Sequence, residues 1–280
     1  MTHLITRHSR RIYLASAGAG IVLALSTIAP PAAATSSARP SGTVVTVGAN
    51  KSNNWSGYNQ GSLEQGHKLF HQVAGDWTVP SASAHTGGQA AYSAAWVGIG
   101  GGCVDKGCLL LDNTLIQAGT GQDVDSRGHA SYYAWWETIP APSVRTKLLV
   151  RAGDRIHVDI RELLGVPDET WKITINNRST GGVFTLTVPY TSTMATAEWI
   201  LETPLVLNGS KVTIGPLPNL STTTFDFAQT NGTATRLSAA EEIQLVDFSN
   251  RVLATPSGPD SDADGFSDCA YASSCPAPGS

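Results

Sequence analysis

Two short stretches set carboxylic acids among large aromatic rings. One is Trp135-Trp136-Glu137 and the other is Glu198-Trp199-Ile200-Leu201-Glu202. A carboxyl group held against apolar rings loses hydration, so its pKa rises above the usual ~4.3. Such a group suits general acid/base work. A plainer account also fits: strands that simply alternate buried Trp with exposed Glu. If 198–202 is a strand, Glu198, Ile200 and Glu202 share one face, with about 13 Å between the two Glu Cα atoms.

Other chemistries find no support. There is no Gly-x-Ser-x-Gly for a hydrolase elbow and no His-Glu-x-x-His for a zinc pair. Gly100-Gly101-Gly102 follows Trp96-Val97-Gly98-Ile99 and no helix follows it, so it is no phosphate cradle. His67, His71, His85, His129 and His157 lie scattered in polar or strand contexts and read as surface or ladder residues. The four cysteines form two close pairs, Cys103/Cys108 and Cys269/Cys275. Three pairings are possible, and the local ones are simplest. No Cys-x-x-Cys spacing or nearby His suggests zinc, so the bonds are expected to staple loops. Asp260-Ser-Asp262-Ala-Asp264-Gly265 matches the first half of a calcium loop, but position 271 is Tyr where a bidentate Glu belongs. A solvated acidic turn is expected there, and no metal site.

The elements that must position these residues are strands. Apolar residues make up 41% of the 280 and charged residues only 14%. That charged share is well below the ~25% of average soluble proteins, and with abundant Thr, Ser and Gly it favours extended structure. The net charge of -4 lacks the basic footprint of a nucleic-acid binder. Lys147–Arg151, Arg155–Ile160, Trp171–Ile175, Val183–Val188 and Lys211–Ile214 read as strands, and several alternate. Turn signals at 152–154, 176–177, 181–182 and 208–209 separate them, the rhythm of an all-β sandwich of two antiparallel sheets. Met194–Glu202 has helical propensity opposed by Thr191, Thr193 and Thr196, and pattern alone leaves it open.

Arg7, Arg10 and Arg11 precede an apolar run from Ile12 to Ile28, and Ala32-Ala33-Ala34 follows. This predicts a signal peptide over 1–34, cleaved after Ala34. Removing it leaves 15 basic against 22 acidic side chains in an acidic, secreted, extracellular chain. Residues 35–49 read as a flexible leader or short propeptide, 50–256 as one domain, and 257–280 as an acidic, disulfide-stapled tail.

Six motifs occur in order: Asn54-Trp-Ser-Gly-Tyr58, Trp77-Thr-Val-Pro80, Ala95-Trp-Val-Gly-Ile99, Leu115-Ile-Gln-Ala-Gly119, Ala134-Trp-Trp-Glu137 and Ala197-Glu-Trp-Ile-Leu-Glu202. Together, over about Asn54 to Leu253, they resemble the glutamic peptidase (eqolisin) family of secreted acid endopeptidases. The resemblance implies a β-sandwich and a catalytic Gln–Glu dyad at Gln117 and Glu202. It implies that Trp96 lies by the substrate cleft and that Glu137 is a supporting acid. No cofactor is implied. The partners expected are protein or peptide substrates, with no nucleic acid, no membrane after signal cleavage, and a monomeric chain.

The sequence departs from the family pattern at Gly100 and Tyr133, where the family has Asp. Tyr133 therefore joins the expected substrate-binding set in place of an acid. A less strictly acidic pH optimum is expected. Two other readings fit parts of the pattern. A sandwich glycoside hydrolase would also pair carboxylates, though Ile200 occupies the middle of Glu198/Ile200/Glu202. A non-catalytic carbohydrate-binding sandwich would use exposed Trp side chains as stacking platforms.

Overall fold

A computed structural model describes residues 38–39, 44–165, 169–208 and 211–279. The expected signal peptide lies outside the described residues. Thirteen strands carry the architecture. They are β1 (Trp55–Gly61), β2 (Gln72–Thr78), β3 (Ala91–Gly100), β4 (Leu115–Val124), β5 (Ala130–Thr138), β6 (Arg155–Glu162) and β7 (Thr170–Asn177). The rest are β8 (Gly182–Pro189), β9 (Thr196–Glu202), β10 (Thr223–Thr230), β11 (Glu242–Val246), β12 (Val252–Pro256) and β13 (Phe266–Ala270).

They form two antiparallel sheets, the expected sandwich. The front sheet runs β5-β4-β3-β9-β1-β11. The back sheet runs β8-β7-β6-β2-β10-β13-β12-β11. β11 belongs to both. Its first residues pair with β1 and its last with β12, so it stitches the sheets along one side. Strands that change sheets at a corner close a sandwich in this way.

Between the sheets lies the main core. The back sheet contributes Trp77, Ile156, Val158, Ile160, Trp171, Ile173, Ile175, Phe225 and Phe266, and the front sheet Tyr58, Val97, Ile99, Ile116, Ala118 and Trp199. Trp199 locks the layers together. Its Nε1–H donates to Ala74 O at 2.8 Å, and a Cβ at neighbouring Gly75 would lie 2.8 Å from its ring. Buried indoles usually find such a partner.

The ambiguous window is resolved as strand β9. It lies between β1 and β3, where ladder bonds on both sides outweigh local helical propensity. Lys147–Arg151, expected as a strand, is not one. Leu149 points into solvent while Val150 is buried, and the segment is a loop. Phe266–Ala270, within the stretch read as tail, pairs with β10 and β12 and sends Phe266 into the core. Within the stretch read as leader, Ala38–Arg39 pairs with Leu205–Val206, and Val44 is buried.

Candidate active site

Strand pleating puts alternate residues on one face. The outer face of the front sheet therefore carries Gln117, Glu137, Glu198, Glu202, Trp55, Trp96, Trp135 and Tyr133. Cross-strand register arranges them in rows. One row reads Glu198-Gly98-Gln117-Glu137. The next reads Ile200-Trp96-Gly119-Trp135, and the third Trp55-Glu202-Ala94-Gly121-Tyr133. Gln117 and Glu202 thus share a face, two strands and two rows apart, with Trp96 in the row between.

Small residues make the floor. A Cβ at Gly119 would lie 2.2 Å from Ala95 O and 2.6 Å from Trp96 Cβ. A Cβ at Gly121 would lie 2.2 Å from the Tyr133 ring. Both strands are buried along their whole length, so both of their faces are covered. Val44 belongs to the same apolar cluster as Trp55, Trp96, Tyr133 and Trp135, so part of the cover comes from the stretch read as leader.

Each polar side chain is pinned by one atom and unpartnered at another. Gln117 Nε2 donates to Glu137 Oε2 at 2.8 Å, while buried Gln117 Oε1 has no protein partner. Trp96 Nε1–H donates to Glu202 Oε2 at 2.9 Å, while buried Glu202 Oε1 has none. Burial pushes the Glu202 pKa up to about 8, partly offset by the hydrogen bond from Trp96. Leaving a buried acceptor unsatisfied costs roughly 1–3 kcal/mol, so such atoms mark places where a ligand or water would be held.

Glu198 is also fully buried, and burial raises its pKa well above the ordinary range. It is closed off by the glycine run. A Cβ at Gly102 would lie 2.7 Å from Glu198 Oε1 and 1.6 Å from Asn59 Oδ1. The Cys103–Cys108 disulfide staples the loop that follows, and Cys269–Cys275 staples the tail, as expected.

Tyr133 sits at the far end of the third row. Its hydroxyl donates to Asp123 Oδ1 at 3.3 Å, and the Arg145 guanidinium lies 3.5 Å over its ring. Arg145 also pairs with Asp123 at 2.9 Å. Burial, partly offset by Arg145, lifts the Asp123 pKa to about 6. Sequence reasoning missed Asp123 and Arg145. Asp123 was reachable, because it stands six residues after Gln117 on the same strand and so faces the same way.

Gly100 has φ +95°, and a Cβ there would lie 2.0 Å from Thr114 O. The backbone itself thus excludes an acid at this position. The histidines lie outside the site: His71 pairs with Glu162, His157 with Asp76 and His129 with Asp125. A groove of about 730 Å³, lined by His71, His157, Asp159 and Phe227 among others, lies on the back sheet. Of the seven tryptophans, six are buried and Trp136 is half-buried, so no Trp stacking platform faces solvent. Asp226, Asp260 and Asp264 bring carboxylate oxygens within 4.8 Å of one another. Asp260 caps its own turn, accepting from the N–H groups of Asp264 and Gly265.

The Peptidase A4 family matches residues 53–263, three-quarters of the chain. The chain belongs to the Peptidase A4 family. It is accordingly a glutamic-type endopeptidase, a hydrolase of peptide bonds. The fold agrees. The crystal structure of scytalido-glutamic peptidase with a transition state analog inhibitor superposes with a TM-score of 0.60 at 21% identity, covering 78% of this chain and 98% of that one. The structure of SCP-B, a member of the eqolisin family in a complex with the tripeptide Ala-Ile-His, gives 0.53 at 21% identity over the same shares. No curated protein matches the chain. Among the described residues no helix is long and apolar enough to cross a membrane.

Proposed function

We propose that this Peptidase A4 member is a secreted endopeptidase whose reaction runs on Gln117 and Glu202. Glu202 takes a proton from the attacking water and later delivers it to the leaving amine. Gln117 cannot titrate. Its Oε1 orients the water, and the amide hydrogen not engaged by Glu137 donates to the developing oxyanion. A neutral Gln avoids the shared proton of two like carboxylates.

The observation that carries this reading is the pair of unpartnered buried oxygens, Gln117 Oε1 and Glu202 Oε1, on one sheet face. Each is an acceptor, and a water has two hydrogens to give. Trp96 then fixes Glu202, Glu137 fixes Gln117, and Trp96 and Tyr133 form walls for a peptide. A base with a pKa near 8 gains its ionised form as pH rises from acid toward neutral. That is the direction of a less strictly acidic optimum. Residues 1–34 are assigned to export, 35–49 to a leader, 50–256 to the peptidase domain, to which β13 in the stretch read as tail adds a strand, and the mature chain to a monomer.

Casein hydrolysis from about pH 3 to pH 8 with pepstatin present tests the reading. Pepstatin-resistant activity that disappears in Glu202→Ala and Gln117→Ala supports it. Retained activity in either variant overturns the dyad.

A further inference from the structure

Arg145 lies against Tyr133, a position where this chain departs from the family pattern, yet the proposed chemistry gives Arg145 nothing to do. It belongs to the two-residue strand Val144–Arg145, which pairs with β5 at the edge of the front sheet and sets Arg145 opposite Trp135. Residues directly opposite in a ladder point to the same face. The row Ile200-Trp96-Gly119-Trp135 therefore continues to Arg145, which brings it to the rim of the face that carries Gln117 and Glu202. Asp123, Glu137, Glu198 and Glu202 are the acids of that face. Arg145 is the one Lys or Arg among its described strand residues.

The guanidinium is braced from two sides. It lies 3.5 Å over the Tyr133 ring, which itself leans over Gly121 of β4. Its Nη2 donates to Asp123 Oδ2 at 2.9 Å, and the Tyr133 hydroxyl donates to Asp123 Oδ1 at 3.3 Å. Stacking occupies the flat face of a guanidinium and leaves its N–H edge for acceptors. Nε and Nη1 have no acceptor among the described residues. The Arg145 side chain is 52% exposed, against 12% for Asp123. A cation already held in one orientation, with donors to spare, thus meets solvent at the end of the site. Such a group loses little freedom when it takes a ligand.

We infer that Arg145 is a specificity-determining residue: its guanidinium, braced by Tyr133 and Asp123, pairs with an acidic side chain of the peptide substrate, away from the bond that is cut. The inference rests on the peptide lying across this face of the front sheet. Tyr133 stands three strands from Glu202 in the same row, about 14 Å at ~4.8 Å per strand, or roughly four residues of extended peptide. A carboxylate matches the planar N–H fork of Arg, and the charge strengthens the bond. The titration of Asp123 favours the same ligand. Burial lifts its pKa to about 6, partly offset by Arg145 and Tyr133. Its other neighbours across the ladder are Tyr92 and Ser131, and Asp125 and His129 in the adjoining turn pair with each other. A peptide Asp or Glu titrates near ~4. Between about pH 4 and pH 6 Asp123 takes up its proton while the substrate acid keeps its charge, so the substrate offers Arg145 the ionised partner. Above that window ionised Asp123 competes for it.

Matched peptides test this with the full secreted chain. A peptide cleaved at one bond, acetylated and amidated at its ends, is made with Glu or Gln at the third, fourth and fifth residues on either side of that bond. At about pH 5 one position is expected to favour Glu over Gln by about tenfold in kcat/KM, and by about pH 7.5 that ratio should shrink to about twofold. Arg145→Gln is expected to bring the ratio to about one, Arg145→Lys to keep part of it, and Arg145→Glu to favour Lys at the same position. The ratio is read within each variant, so a general loss of activity cancels. A wild type with no Glu preference at any position overturns the inference. So does a preference that persists in Arg145→Gln. An inactive wild-type enzyme, or an active Glu202→Ala variant, would instead remove the dyad. Fluorescence anisotropy of the same peptides, labelled, would then decide the role of Arg145. A Glu/Gln affinity ratio of about tenfold that is lost in Arg145→Gln supports it, and equal affinities overturn it.

Discussion

Trp96 and Glu202 meet diagonally. In the ladder Trp96 stands opposite Ile200, and Glu202 stands opposite Ala94. The indole therefore reaches two residues along the neighbouring strand to place its N–H 2.9 Å from Glu202 Oε2. Diagonal neighbours in a sheet are within reach of aromatic side chains. Gly98 makes room for this, because a Cβ there would lie 2.9 Å from the Trp96 ring.

Trp96→Phe keeps the ring and deletes the donor. Hydrogen bonds to charged groups are worth about 1.5–3 kcal/mol, so kcat should fall roughly tenfold to a hundredfold. The ionised form of Glu202 loses support, and the rising limb of the kcat profile should move to higher pH. Steady-state kinetics across pH would show both. An unchanged limb would mean that the indole serves substrate binding alone.

The polar alternation of β7 and β8 made the back sheet legible, because each shows one face to solvent and one to the core. β3 and β4 were harder to read. They are buried on both faces and rich in Gly and Ala, so no apolar/polar period marks which face carries chemistry. Gln117 and Glu202 came from motif order rather than pattern. Once Gln117 is fixed, period two finds Asp123. Lys147–Arg151 misled for the opposite reason: it is apolar enough for a strand, yet Leu149 remains in solvent.

Stability should fall as pH rises. Burial lifts Glu202 and Asp268 to about 8, and Glu198 well above its ordinary value. A carboxyl whose folded pKa exceeds its unfolded one favours the native state while protonated. That contribution is complete below about pH 4 and is lost as pH climbs through about 8. For a fully buried carboxyl such as Asp268 it is on the order of 5 kcal/mol. Thermal melts should show Tm declining between about pH 4.5 and pH 8. Asp268→Asn, which cannot titrate, should flatten that decline. A Tm that rises over this range would contradict the burial argument.

Gly100→Asp restores the acid found in the family pattern, and should fail. The position has φ +95°, and the new Cβ would meet Thr114 O at 2.0 Å. Backbone strain and the clash together should cost about 3 kcal/mol or more. A urea midpoint close to wild type, with activity shifted toward acid pH, would show that the loop can rearrange to accept the acid.

The Cys103–Cys108 bond closes a loop directly after the glycine run that covers Glu198. A loop this short is worth about 2 kcal/mol by chain entropy. Replacing both cysteines with Ala should lower the urea midpoint accordingly. Activity should be kept, because Asn59 still clamps Cys103: its Nδ2 donates to the residue's O at 2.9 Å, and its Oδ1 accepts from the N–H at 3.1 Å.

Gln117→Glu separates the amide from its shape. The substitution keeps size and reach but sets a carboxyl 2.8 Å from Glu137 Oε2, where the amide N–H now donates. Two carboxylates at that distance cannot both stay ionised, so one pKa must rise and one proton be shared. The oxyanion donor is lost whenever the pair carries its charge. Losing one such donor costs about 10²–10³ in kcat. Residual activity should survive only on the acid side, where the new carboxyl is protonated and can donate. A kcat profile with that acid-shifted remnant would identify Gln117 as the neutral donor of the dyad. A variant with wild-type activity at neutral pH would assign Gln117 a purely structural place in the row with Gly98 and Glu137.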